Sequence, residues 1–221
     1  MAKQERVLVL YSGGLDSTVL AGIYVRQKRH VDLITFRNGA QQDVELAKVH
    51  LPHIKRVRPD VEVTHTYRDV STAFKRLIIR GIKEDSPISE FTYICVGCKL
   101  VMHAAAIVYA AQNGMPVVAD GFIKGQEFYP EQTPAFIAAI DSLYAKFGIA
   151  HVSPLYQLIT DKEQIRKLAM ELNIPPKSID CTCLFEERPV KVDNPAIEAY
   201  IRNKLPLLEE YIRRELSPLT V

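Results

Sequence analysis

Residues 7–23, VLVLYSGGLDSTVLAGI, constrain the fold of this chain more than any other stretch. Val7–Leu10 is apolar at every position, the mark of a strand buried on both faces. The chain then turns through Ser12, Gly13, Gly14, Leu15, Asp16, Ser17 and Thr18. It resumes at helical spacing with Val19, Leu20, Ile23 and Tyr24. A buried strand feeding a glycine-rich loop and then a helix is the opening of an α/β sheet.

The alternation continues. Val31–Phe36, Glu62–Tyr67, Pro116–Ala119 and His151–Pro154 read as further strands. Asp43–Ile54, Ser71–Ile82, Lys99–Gln112, Ala135–Phe147 and Thr160–Leu172 read as helices. Gly114 stops the third of these. Thr160 and Glu163 have the spacing of a capping box. Residues 83–94 and 121–134 read as loops, and Asn194–Leu216 as a helical region interrupted near Pro206. The pattern predicts a doubly wound, mostly parallel sheet with helices on both faces. No repeat or linker divides the 221 residues, so residues 1–190 are expected to form one domain and 191–221 its C-terminal helical extension.

The net charge of +2 is too mild to argue for nucleic acid by itself, and a small molecule or nucleotide fits equally well. Residues 1–6, MAKQER, are polar and do not resemble a signal peptide, and no segment reads as long enough to span a membrane. Four cysteines without an export signal predict a cytoplasmic protein with reduced thiols, where metal binding or catalysis is commoner than disulfides.

In a doubly wound sheet, ligands sit at the carboxyl ends of the strands, where the SGGLDST loop falls. Gly13 and Gly14 permit a tight turn and let backbone N–H groups approach an anion closely. Ser12, Ser17 and Thr18 add hydroxyls, and the following helix adds the positive end of its dipole. The loop therefore reads as a phosphate or pyrophosphate cradle. It carries neither the G-K-[ST] of a P-loop nor G-x-G-x-x-G. Asp16 would repel a phosphate unless a cation lay between, so it reads as a Mg²⁺ ligand or as the cap of the helix.

The loop resembles the S-G-G-x-D-S signature of the PP-loop ATP pyrophosphatases, which have an adenine nucleotide alpha hydrolase-like (HUP-type) fold. The resemblance implies that Ser12–Thr18 hold the pyrophosphate of ATP. It also implies transfer of AMP to a carbonyl or carboxylate oxygen, followed by displacement of AMP by nitrogen or sulfur. Residues 35–50, 129–137 and 153–175 are similar to segments of 7-cyano-7-deazaguanine synthase of the queuosine pathway, with Lys162 at that family's lysine position. Residues 92–121 resemble the tRNA thiolation branch. There a C-x-x-C and a distant third cysteine hold a 4Fe–4S cluster with one iron open for sulfide. Cys95 and Cys98 with Cys181 or Cys183 have that two-plus-one arrangement.

From their own pattern the four cysteines leave several chemistries open: an iron–sulfur cluster, zinc, metal-free catalytic thiols, or unrelated buried pairs. Cys95 and Cys98 precede the Lys99–Gln112 helix in this reading, which predicts lowered pKa values. Lys124 and Gln126, after the Pro116–Ala119 strand, are candidate phosphate or substrate contacts. Asp120 reads as a turn cap or metal ligand. Lys162, unfavourable against the helix dipole, points to a phosphate partner, and Lys99 is a weaker candidate. His50, His53 and His65 read as ordinary core or surface residues, and IRRE at 212–215 as a solvated helix face.

The expectation is thus a Mg²⁺–ATP-dependent enzyme. It adenylylates a carbonyl oxygen on a nucleobase-like small molecule or a tRNA base, then replaces that oxygen with sulfur. Ammonia transfer is the alternative nucleophilic step, and a non-catalytic nucleotide sensor the alternative class. A sulfur or ammonia donor is implied, a homodimer is possible, and no membrane partner is expected.

Overall fold

The computed structural model describes residues 6–85, 92–185 and 194–218. Five parallel strands form the central sheet: β1 (Arg6–Leu10), β2 (His30–Arg37), β4 (Val63–Asp69), β5 (Val117–Ala119) and β6 (Ala150–Val152), in the order β4-β2-β1-β5-β6. The helices are α1 (Leu15–Arg26), α2 (Leu51–Val57), α3 (Ser71–Leu77), α4 (Ile82–Asp85), α5 (Thr92–Gln112), α6 (Pro134–Ala145), α7 (Lys162–Glu171) and α8 (Asn194–Leu216). The doubly wound α/β expectation holds.

Alternation along β1 divides the core. Val7 and Val9 pack with α1, α2 and α7, whereas Leu8 packs on the other face with α3, α5, α6 and α8. All three side chains are fully buried, so every residue of the strand interior must be apolar. The strand order reverses at β1, which pairs with β2 on one side and β5 on the other. Loops leaving β1 and β5 therefore diverge and open a crevice at their carboxyl ends.

Several expectations are corrected. The helix expected over Asp43–Ile54 is a 3-10 turn over Val44–Lys48 followed by α2. Asp43 sits at φ 55°, and Pro52, which lacks an N–H, is accommodated only in the first turn of α2. Within 83–94, α4 occupies the start and α5 already begins at Thr92, while residues 86–91 lie outside the described residues. The expected domain border at 190/191 lies outside them too. Asp161, not Thr160, caps α7, accepting from the Gln164 N–H at 3.0 Å. Pro206 does not interrupt α8. Pro206 and Arg202, whose carbonyl it leaves without an intrahelical partner, are both exposed, so the proline sits on the solvent side of the helix.

One helix does reach membrane-spanning length. Tyr93–Gln112 has a mean hydropathy of 1.8, but 72% of it is buried. It is the central helix of one core layer, covered by α3, α6 and α8. Gly97 allows this packing, since a Cβ there would meet the Tyr200 hydroxyl at 2.6 Å and Ile78 at 2.7 Å.

Missing from the sequence reading is a two-stranded antiparallel ribbon, β3 (Gln41–Gln42) with β7 (Thr182–Cys183). It pairs Gln41 with Cys183 and carries the C-x-C segment back to the carboxyl edge of the sheet.

Candidate active site

The SGGLDST loop leaves β1 at the switch point. Its entry is pinned by β2: Tyr11 N–H donates to the Ile34 carbonyl at 2.8 Å, and Thr35 Oγ1 donates to the Tyr11 carbonyl at 2.6 Å. Gly13 has φ +86°, and a Cβ there would lie 2.5 Å from the Ala47 backbone. Conformation and space both demand glycine. Gly14 is the N-cap of α1 and provides no side-chain cap. Ser12 Oγ instead accepts from Gly14 N–H at 3.1 Å, Ser17 Oγ donates to the Gly14 carbonyl at 3.2 Å, and Thr18 Oγ1 to the Gly13 carbonyl at 3.5 Å.

Asp16 is in the first turn of α1 and is not its cap, so that reading falls. Its Oδ2 accepts from Gln126 Nε2 at 3.0 Å. Burial pushes the Asp16 carboxyl upward, Gln126 and the Lys162 charge oppose this, and Asp180 adds to it. A second carboxylate thus faces the same loop. A Cβ on Gly14 would meet Asp180 Oδ1 at 2.2 Å, and Ser178 Oγ accepts from Leu15 N–H at 3.1 Å while donating to Asp180 at 2.6 Å. His50, fully buried, lies 2.8 Å from the Lys177 carbonyl and anchors this segment. Sequence reading missed Ser178 and Asp180. Their only signal is a hydroxyl and a carboxylate just before the C-x-C.

The loop opens onto a cavity of about 510 Å³. Ser12, Gly14, Leu15, Asp16 and Ser17 form one wall. Lys99, Lys162, Arg166 and Lys177 place four cations around it, and Asp120, Gly121 and Gln126 come from beyond β5. Gly121 is required by proximity, since a Cβ there would be 2.8 Å from Ser17 N. Gln126 is held by Gln132, whose Nε2 donates to its Oε1 at 2.7 Å. Lys124 is exposed on the 3-10 turn over Lys124–Gln126 and is not part of the cavity wall.

The cysteines fall on two elements beside this cavity. Cys95 and Cys98 lie inside α5, one turn apart, rather than before a helix. Burial raises the Cys98 thiol to about 11, although Asn38 Nδ2 donates to its sulfur at 3.1 Å, so the lowered pKa expected for it is corrected. Burial raises Cys181 as well, and Cys181 lines the cavity. Cys95 Sγ lies 3.7 Å from the Phe185 carbonyl. All four are free thiols. Among the described residues no three thiols converge within 4.8 Å. A tetrahedral zinc with Zn–S of about 2.3 Å needs them about 3.8 Å apart, so this conformation is not a closed zinc site. A cluster that gives each thiolate its own iron tolerates a wider spread.

His65 stacks edge-on between Tyr11 and Tyr67, and burial pushes it down to about 4. It is half-buried, with its Nε2 2.8 Å from Thr35 Oγ1. In the IRRE run, Ile212 is buried while Arg213 and Arg214 lie over the Phe147 and Tyr211 rings.

The S-G-G-x-D-S loop at the β1/β5 switch point, opening onto this cavity, is the arrangement of the PP-loop ATP pyrophosphatase superfamily, to which comparison with known proteins assigns the chain. Within that superfamily, the family model for queuosine biosynthesis protein QueC matches residues 6–191, and the chain belongs to that family. It is 28% identical over 200 residues to tRNA-specific 2-thiouridylase MnmA of Rhizobium meliloti, covering 84% of this chain and 47% of the relative. It is 24% identical over 148 residues to 7-cyano-7-deazaguanine synthase 1 of Colwellia psychrerythraea, covering 63% of this chain and 66% of the relative. The chain thus spans about half the length of the thiouridylases it matches.

Among solved structures, a 4-thiouridine synthetase in complex with RNA and ATP superposes with a TM-score of 0.63 at 21% identity, covering 94% of this chain and 53% of that one. The U34-tRNA thiolase NcsA from Methanococcus maripaludis, with its 4Fe–4S cluster, gives 0.51 at 13% identity, covering 95% and 72%. At these identities the likeness is one of fold.

Proposed function

We propose that this chain is a Mg²⁺–ATP-dependent enzyme that adenylylates a carbonyl oxygen of a nucleobase-like heterocycle and releases pyrophosphate. The observation that carries this reading is one cavity wall on which the SGGLDST loop, Asp16 and Lys162 stand together. The wall formed by Ser12 and Gly14–Ser17 and the positive end of the α1 dipole face the pyrophosphate. Ser12, Ser17 and Thr18 brace that loop. Asp16 with Asp180 would hold Mg²⁺, which neutralises phosphate charge as the α-phosphate is attacked. Lys162 and Arg166 face the same charge from α7.

An oxygen on a heterocycle is a poor leaving group, and it departs readily once it carries AMP. Sulfur is the nucleophile we favour, because Cys181 stands on the cavity wall and Cys183 lies near enough to interact electrostatically with both Cys181 and Cys98. If a 4Fe–4S cluster is bound, Cys95, Cys98 and one of Cys181 and Cys183 would hold it, leaving one iron for sulfide. The acceptor is a purine-like small molecule or a tRNA base. Nitrogen transfer is the second reading, supported by the matching family model.

The test is ³¹P NMR of the products from ATP, with bulk tRNA or with purine-like heterocycles carrying a ring carbonyl or carboxylate. AMP and pyrophosphate are expected. ADP and phosphate would overturn the adenylylation reading, and ATP binding without turnover would make the chain a nucleotide sensor. Incorporation of ³⁵S into the acceptor separates sulfur from nitrogen transfer.

A further inference from the structure

Three side chains that the adenylylation chemistry does not use converge beyond the end of β5. A ring nitrogen of His103, a ring nitrogen of His151 and a carboxylate oxygen of Asp120 lie within 4.8 Å of one another. They come from α5, from β6 and from the residue after β5. His103 is completely buried against the rings of Phe122, Phe136 and Tyr144. Its Nδ1 lies 3.2 Å from the Tyr144 hydroxyl, while its Nε2 is buried without a hydrogen-bond partner among the described residues. A buried ring nitrogen left unpaired is destabilising unless something binds it.

The neighbouring groups are arranged as orienting groups around a metal. His151 Nδ1 lies 2.6 Å from Asp141 Oδ1, and its Nε2 lies 2.8 Å from Asp120 Oδ2. An imidazole held by a carboxylate at one nitrogen presents the other to a cation in a fixed direction. The remaining oxygen of Asp120 accepts from Phe122 N–H at 3.0 Å, which fixes that carboxylate in turn.

We propose that His103, His151 and Asp120 bind one divalent transition-metal ion of the zinc class, through Nε2 of each ring and Oδ2 of Asp120. Two imidazoles and one carboxylate favour such an ion over Mg²⁺, which prefers oxygen ligands. Ligands of tetrahedral zinc at about 2.0–2.1 Å sit about 3.3 Å apart, so the His151–Asp120 pair, at 2.8 Å, opens by about 0.5 Å and the His103 nitrogen closes by about 1.5 Å at most. Binding displaces the proton shared between His151 and Asp120. Three protein ligands leave a fourth position, and because His103 and Asp120 both line the cavity, that position opens onto it. The site uses none of the four thiols.

The test is a cobalt titration of the full chain with its four cysteines replaced (Cys95→Ser, Cys98→Ser, Cys181→Ser, Cys183→Ser), its folding verified by circular dichroism. One Co²⁺ per chain is expected, with visible d–d bands and no thiolate charge-transfer band. Adding His103→Gln should weaken binding by at least about 100-fold. Should the cysteine-free chain not fold, metal content is compared between the native-cysteine chain and its His103→Gln variant, where one fewer Co²⁺ per chain is expected. A folded cysteine-free chain that takes up no cobalt, or equal uptake with and without His103, overturns the proposal. Neither readout involves ATP, so either result leaves the adenylylation reading standing.

Discussion

The Gln126 amide donates to the Asp16 carboxylate at 3.0 Å across 110 residues of chain, joining the loop after β5 to the loop after β1. It is the principal contact opposing the burial that pushes the Asp16 carboxyl upward. Hydrogen bonds to a charged group contribute about 1.5–3 kcal/mol. Gln126→Leu should therefore weaken Mg²⁺–ATP binding about ten- to a hundredfold in a calorimetric titration. Asp16→Asn should lower the rate of pyrophosphate release at least about 100-fold. Unchanged pyrophosphate release by Asp16→Asn would remove Asp16 from the mechanism.

Two positive-φ glycines separate conformation from crowding. Gly13 (φ +86°) meets the Ala47 backbone, whereas Gly114 (φ +62°) has nothing within 4 Å of an added Cβ. Gly114→Ala should cost about 1 kcal/mol of stability, the left-handed strain alone, and leave ATP affinity intact. Gly13→Ala should cost more and abolish ATP binding. Equal effects of the two substitutions on ATP affinity would contradict the cradle.

Cys98 should be a slow thiol. With its pKa pushed to about 11 by burial, the alkylation rate at pH 7.5 should fall far below that of an exposed cysteine and climb about tenfold per pH unit until the fold gives way. Asn38→Leu, which removes the donor to the sulfur, should slow it further. Mass-spectrometric mapping of alkylation across pH checks both. Fast labelling of Cys98 at neutral pH would show that burial does not control this thiol.

His151 makes the stability of the metal-free protein pH-dependent. Burial alone would lower its pKa, but hydrogen bonds and charges from Asp120 and Asp141 outweigh that and lift it to about 9. The unfolded value is about 6.5. The contribution is therefore complete below about pH 6.5 and is lost as pH rises through about 9, on the order of 2–3 kcal/mol. Urea titrations at pH 6 and pH 9.5 in the presence of chelator should show this loss, and His151→Asn should flatten it. A wild-type midpoint that does not change over this range would exclude a charged His151.

The C-terminal helix is expected to be integral to the domain. Ile197, Tyr200, Ile201, Leu208 and Ile212 of α8 share a core with α5. Truncation before Asn194 should yield an aggregating chain, and Leu208→Ala should cost about 2–5 kcal/mol. A soluble, cooperatively folding truncation would make α8 a separable appendage.

Much of this molecule is determined locally and was readable from the chain. Val7–Leu10 must be a central strand because all its side chains are apolar, and Ser12–Gly14 must be a turn because its glycines cannot serve either neighbouring element. Strand–helix alternation then decides the parallel sheet and the edge where ligands bind. Other features depend on partners distant in sequence. Gly97 lets Tyr200 and Ile78 press against α5 between Cys95 and Cys98, and burial in that layer reverses the expected shift of Cys98. The Gln41–Cys183 pairing rests on a two-residue ladder, too short to leave a periodic signal. Asp180 reaches the loop on a segment held by His50 at the Lys177 carbonyl and by Ser178 at the Leu15 N–H. His103, Asp120 and His151 come from three separate elements. Periodicity reports which face of an element is buried. Which buried polar groups meet one another is decided when the sheet and its two helical layers close.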